Sequence, residues 1–130
     1  MTREDLYKCR KIEIEIKSAR AIYDSKFSQL VSGVQRLSDM PKALNKVHDG
    51  LEELIDFYQE KITTKEKEAC ELIKNIERIL DKMQDERYIA VIRYYYIGGL
   101  TDEETADRIG YAKNYANYLK RQAVDNFEKI

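Results

Sequence analysis

Apolar residues recur at steps of three and four along most of this chain, and no other feature restricts its folding more. From Leu6 the series runs through Cys9, Ile12, Ile16, Ala19, Tyr23, Phe27 and Leu30, which puts every member on one face of an α-helix. A second series runs through Leu44, Val47, Leu51, Ile55, Tyr58 and Ile62, crosses a polar patch at residues 63–67, and resumes at Ala69, Ile73, Ile76, Leu80 and Met83. Between the two, the periodicity fails where Gly33, Ser38, Asp39 and Pro41 cluster. Proline suits the first turn of a new helix, where its missing N–H would have had no acceptor. The pattern predicts a long antiparallel helical hairpin over residues 1–84: a helix over about residues 3–30, a bend at 31–41 and a second helix over about 42–83. Residues 11–17 alternate Ile with charged residues and could pass for a strand, but helical spacing continues on both sides, so they are read as helix with Ile14 off the main stripe.

The second helix would be on the order of 60 Å long at 1.5 Å per residue. The first is shorter, so part of the second needs another cover, either the C-terminal residues or a second copy of the chain. Gly50 and the region of Thr63 and Thr64 are where a bend would cost least. With only 1 Pro and 5 Gly in 130 residues, strand-rich folds that depend on many tight turns are excluded, and the fold class expected is all-α.

Charge narrows the function classes. The chain holds 23 Lys and Arg against 24 Asp and Glu, so the whole molecule offers no field for non-specific attraction to nucleic acid or anionic membrane. Residues 1–83 carry 16 basic and 16 acidic side chains, against 7 and 8 in the remainder, and interleaved charges of this kind read first as a solvated face. Cys9, Cys70 and the single His48 are too few for a four-ligand zinc site and lack CxxC spacing, so the cysteines are read as reduced thiols and no metal is expected. His48 beside Asp49 points away from it on a helix. The carboxylates of Glu52, Glu53, Asp56 and Glu60 are interspersed with bases and lack Glu-x-x-His spacing. No constellation of nucleophile, base or phosphate loop is present, so the expectation is a non-enzyme without a cofactor.

The last 46 residues read differently. After Asp85 a helix with Ile89, Ile92 and Tyr96 on one face stops at Gly98 and Gly99. Thr101 and Glu104 then form a T-x-x-E capping box, in which the hydroxyl accepts from a first-turn amide and the carboxylate returns to the Thr amide. A short helix over 102–109 follows, Gly110 supplies a turn, and a second helix starts near Ala112 or Lys113 with Ala116, Leu119, Ala123 and Phe127 inward. Ala112 offers no side-chain cap, a loss of about 1 kcal/mol where nothing replaces it. Small Ala106, Gly110 and then aliphatic Leu119 is the skeleton that two closely crossing helices of a helix-turn-helix require, with Thr105, Ile109 and Tyr111 completing the apolar underside. An ordinary trihelical packing unit would satisfy the same skeleton.

The outer face of that last helix presents Lys113, Asn114, Tyr115, Asn117, Tyr118, Arg121 and, on its flank, Lys120 and Gln122. From 110 to 124 there are three bases and no acid, while Asp102, Glu103, Glu104 and Asp107 crowd the preceding helix. Bases attract phosphate, Asn matches adenine edges and Arg matches guanine O6 and N7. The many tyrosines (Tyr88, Tyr94, Tyr95, Tyr96, Tyr111, Tyr115 and Tyr118) could suggest single-strand stacking. Packing is the better reading for most, with Tyr115 and Tyr118 alone facing outward.

Residues 94–127, YYYIGGLTDEETADRIGYAKNYANYLKRQAVDNF, resemble region 4 of sigma-70-type factors and, more closely, phage and prophage transcription regulators of the ArpU type. Tyr96, Ile97, Gly99, Thr101, Glu104, Ala106, Ile109, Gly110, Tyr111, Leu119 and Ala123 sit on that pattern, which covers about a quarter of the chain. Tyr95 stands where the family often has Arg, Ala112 where it has Ser, and Ala116 where it has a larger aliphatic residue. The resemblance implies a sigma region 4-like helix-turn-helix domain over residues 85–130 and a small regulator whose last helix enters the major groove, acting as a late-gene activator beside host RNA polymerase. It implies double-stranded DNA as partner and host RNA polymerase as a further one; the uncovered length of the hairpin points to a homodimer through it, and no membrane partner is expected. With Arg3, Glu4 and Asp5 close behind Met1 and no apolar run of membrane length, the expected location is the cytoplasm of a bacterial host cell. A small terminase-like packaging component and a polymerase-binding adaptor that never touches DNA remain open as alternatives.

Overall fold

A computed structural model describes residues 1–34 and 42–130 of the chain, and the side chains of 1–32 and 49–130. It is all-α. Helix α1 spans Arg3–Val34 and α2 Lys42–Leu80; α3 covers Glu86–Ile92 and widens into a π turn at Arg93–Ile97; α4 spans Asp102–Ile109 and α5 Lys113–Glu128. Helix α1 runs four residues beyond the expected end at 30. The bend residues 35–41, Pro41 among them, and the side chains of Leu44, Val47 and His48 lie outside the described residues. Helix α2 is unbroken through both Gly50 and the Thr63–Thr64 patch, where Thr63 Oγ1 donates back to the Gln59 carbonyl at 3.0 Å and keeps its hydroxyl satisfied within the helix.

The chain divides into two compact units. One comprises Glu15–Glu66. Within it Ile16 and Ala19 of α1 and Ile55 and Ile62 of α2 are buried, and Glu15 pairs with Lys65 at 3.1 Å while Arg20 pairs with Glu66. Phe27, Val31 and Phe57 stay exposed, since two helices alone have only one seam in which to hide apolar groups.

The other unit comprises Met1–Ile14 and Lys67–Ile130. It therefore holds the last three helices together with the first turns of α1 and the last turns of α2. The reason is a shared core: Leu6 and Cys9 of α1, Ile76 and Leu80 of α2, Met83, Ile92, Tyr96, and Ala123, Val124 and Phe127 of α5 form one buried cluster. Of the two covers the sequence left open for this end of α2, the C-terminal residues supply one. Burial pushes the Cys9 thiol up to about 11, so it stays protonated and unreactive, whereas Cys70 is exposed. The chain ends are tied by Arg3, which donates to Glu128 at 2.6 Å and to Asp125 at 3.1 Å. Among the described residues no helix is long and apolar enough to cross a membrane.

The π turn closes α3 tightly just before α4 begins. The Gly98 amide reaches back five residues to the Arg93 carbonyl at 2.7 Å, and the Leu100 amide to the Tyr94 carbonyl at 3.1 Å. A Cβ at Gly98 would lie 2.8 Å from the Tyr94 oxygen, so the tight closure needs glycine there, and Gly99 supplies a φ of 67°. Arg10 of α1 donates to the carbonyls of Tyr95 and Leu100, each at 2.7 Å. Its guanidinium also lies 3.8 Å from the centre of the Tyr95 ring. A charged donor thus takes up two carbonyls around the exit of the π turn.

Candidate nucleic-acid interface

Helix α4 starts as its sequence dictates. The Glu104 amide donates to Thr101 Oγ1 and the Thr101 amide to Glu104 Oε1, both at 3.2 Å, so the capping box is complete. Asp102, Glu103 and Glu104 place negative charge at the positive end of the helix dipole, and Arg108 stands in the last turn. Gly110 ends the helix at φ 77°, its amide and that of Tyr111 both donating to the Ala106 carbonyl. This left-handed turn is open to solvent, so glycine is needed there for its backbone conformation. Three residues later α5 begins at Lys113 with Ala112 as N-cap and no side-chain cap bond.

The inner face of the pair consists of Thr105 and Ala106 from α4 and of Ala116, Leu119, Ala123, Val124 and Phe127 from α5, all buried. Ile109 is half-buried. Tyr111, expected on this underside, is instead 40% exposed. The chain has already reversed at Gly110, which swings the next residue to the rim. Tyr94 is likewise exposed, so the outward tyrosines are more numerous than Tyr115 and Tyr118.

Opposite the buried stripe, Asn114, Tyr118 and Arg121 face solvent, with Tyr115 also exposed and Asn117 and Gln122 half-exposed beside them. The two lysines sit elsewhere, on the flank that meets α4. Lys113 Nζ lies 2.7 Å from Glu103 and Lys120 Nζ 2.7 Å from Asp102. The first pair is out in solvent: Lys113 holds the Glu103 carboxyl below its usual range, and Glu103 in turn raises the lysine. Lys120 is more committed. Only 20% of its side chain is exposed, and its ammonium lies 4.1 Å from the centre of the Tyr95 ring. Tyr95 is therefore flanked by two cations, Arg10 and Lys120.

Arg121 and Arg108 carry no ion pair among the described residues. Arg108, exposed on α4, was not singled out in the sequence because acids surround it; its position in the last helical turn was the available signal. Arg87 was also missed. Asp85 caps α3 by accepting from the Arg87 amide at 2.9 Å and grips the same residue's guanidinium at 2.9 and 3.2 Å. That hydrogen bonding holds the Asp85 carboxyl below its ordinary value. So anchored, Arg87 donates to the Tyr115 hydroxyl at 2.9 Å. Tyr115 meets Tyr111 edge-on at 5.0 Å and stacks on Tyr118 at 6.1 Å. The result is a row of three half-exposed rings along one side of α5, a contact across 28 positions that no local pattern encodes.

The site holds no cluster of metal-ligating side chains among the described residues. Its chemistry is that of recognition: the carboxamides of Asn114, Asn117 and Gln122, the unpaired guanidiniums of Arg121 on α5 and Arg108 on α4, and a line of aromatic rings, with no acid from 110 to 124. Compared with protein-family models, with curated proteins and with solved structures, the chain finds no match.

Proposed function

We propose that this chain is a sequence-specific, double-stranded-DNA-binding regulator that lays the outer face of α5 in the major groove and works by positioning, without chemistry. The observation that carries this reading is the combination of a capped helix, a left-handed glycine turn and a second helix whose solvent face bears Asn114, Asn117, Tyr118 and Arg121, with no carboxylate before Asp125, which Arg3 holds. The likeness to sigma region 4 and to ArpU-type regulators adds the setting, a phage or prophage promoter served by host RNA polymerase. Lys113 can exchange its exposed partner Glu103 for phosphate at little cost, since such surface pairs are worth little in water. Arg108 and Arg121 offer further phosphate or guanine contacts. With so few bases on a neutral chain, pairing of two copies through residues 15–66 belongs to the reading.

Duplex binding measured by fluorescence anisotropy tests it. Affinity should fall steeply with salt, and Arg121→Ala should weaken specific binding by about 1–3 kcal/mol. Unchanged affinity in that variant would remove Arg121 from the interface. A second reading has its own support: both α5 lysines are engaged by α4 carboxylates, which favours an adaptor that binds RNA polymerase and never touches DNA. Polymerase retention that survives nuclease treatment, with no duplex shifted, would promote that reading.

A further inference from the structure

The face of α5 can be read for which bases it suits. We infer that the base pairs under α5 are predominantly A·T, with adenine held by Asn114 and Asn117, thymine methyl groups packed against Tyr118 and Tyr115, and at most one guanine taken by Arg121. This rests on the DNA-binding reading above and adds the class of site selected.

Bases and side chains pair here by matching donors to acceptors. Guanine presents two acceptors, O6 and N7, and asks for a donor fork; cytosine presents only the N4 amino donor and asks for an acceptor such as a carboxylate. The stretch from 110 to 124 contains no Asp or Glu, and the acids beyond it on α5, Asp125 and Glu128, both pair with Arg3, so cytosine has no free acidic partner. Lys113 and Lys120 are turned towards Glu103 and Asp102, which leaves Arg121 as the guanine-matching group on the exposed stripe. Asn can bond adenine N6 and N7 together. Asn114 and Asn117 make no side-chain hydrogen bond to another described residue, so both carboxamides keep their full capacity.

The rings supply the other half. The apolar feature of the major-groove floor is the thymine C5 methyl, and Tyr115 and Tyr118 are 38% and 48% exposed. Their mutual stacking and the bond from Arg87 to the Tyr115 hydroxyl hold them in place before any ligand arrives, so little side-chain entropy is lost on contact. From Asn114 to Arg121 the stripe spans roughly 10 Å of helix, enough for about three base pairs at 3.4 Å each.

The test is selection of the full chain on randomised duplexes, followed by two atom-level substitutions in the selected site. The expected consensus has a core of about three A·T pairs with no more than one G·C pair. Replacing adenine by 7-deazaadenine, which removes N7, should weaken binding at least about fivefold at a contacted position. Replacing thymine by uracil, which removes only the methyl, should also weaken it, by a smaller factor. Asn114→Ala should bind more weakly and lose its sensitivity to one 7-deazaadenine position. A G·C-rich consensus would overturn the inference and leave DNA binding standing. An A·T consensus whose analogues bind as well as the parent would mean that groove shape is being read, and overturns it too. Retention of no duplex at all would overturn both this inference and the function on which it rests.

Discussion

The two compact units handle the same kind of apolar stripe differently. In Glu15–Glu66, two helices share a single seam, and the large apolar side chains Phe27, Val31 and Phe57 are 47%, 47% and 58% exposed. In the unit of Met1–Ile14 and Lys67–Ile130, portions of five helices converge, and Leu6, Ile76, Ile92, Leu119 and Phe127 are each at most 1% exposed. An amphipathic helix gains little from its pattern until enough partners surround its stripe. Stability should therefore be concentrated in the second unit, although the first carries a hydrophobic periodicity just as regular.

The sharpest way to break that contrast is Phe127→Ala. The ring is fully buried in the main cluster, and its removal should cost about 3–5 kcal/mol in a denaturant melt. A loss below about 1 kcal/mol would show that the cluster is not the principal core. Next in size comes Arg10→Ala, which strands the carbonyls of Tyr95 and Leu100 and removes a cation from the Tyr95 ring. About 2 kcal/mol should be lost, and amide exchange should speed up selectively around residues 93–100. If exchange there stays as slow as in the parent, the bracing role assigned to Arg10 is wrong.

Thr101→Ala should cost about 1 kcal/mol by deleting half of the capping box, with helix fraying confined to α4 by nuclear magnetic resonance. The smallest effect belongs to the other unit. Phe57→Ala, at an exposed position, should change unfolding stability of the isolated chain by no more than about 0.5 kcal/mol. If it costs as much as Phe127→Ala, Phe57 is covered by something, and a concentration-dependent midpoint would identify the cover as a second copy.

Local patterns were readable wherever the physics is local. The three-four spacing defined α1 and α2, the T-x-x-E motif placed the start of α4, and Gly110 marked a turn that only a positive φ makes. Ile14 fell off the stripe and is exposed, as periodicity alone required. The outward placement of Asn114, Tyr118 and Arg121 follows from the same counting, since they lie opposite Ala116, Leu119 and Ala123 on a helix. Counting failed at Tyr111, where a reversal intervenes, and at α3, whose expected run to Gly98 gives way to a π turn at residue 93. Helical periodicity cannot show an extra residue in a turn when the Arg10 that takes up its carbonyls lies some 85 positions away.

For the three positive charges of the last helix, their presence, their spacing and the absence of any acid among them are properties of the sequence alone. Which of them are free was decided only in three dimensions. Lys113 and Lys120 come to rest against Glu103 and Asp102 because Gly110 folds α5 back across α4, while Arg121, a residue after Lys120, points the other way. The physical reason is that charge composition is a property of the chain, whereas an ion pair needs two groups within about 4 Å, and the turn and packed core set that distance.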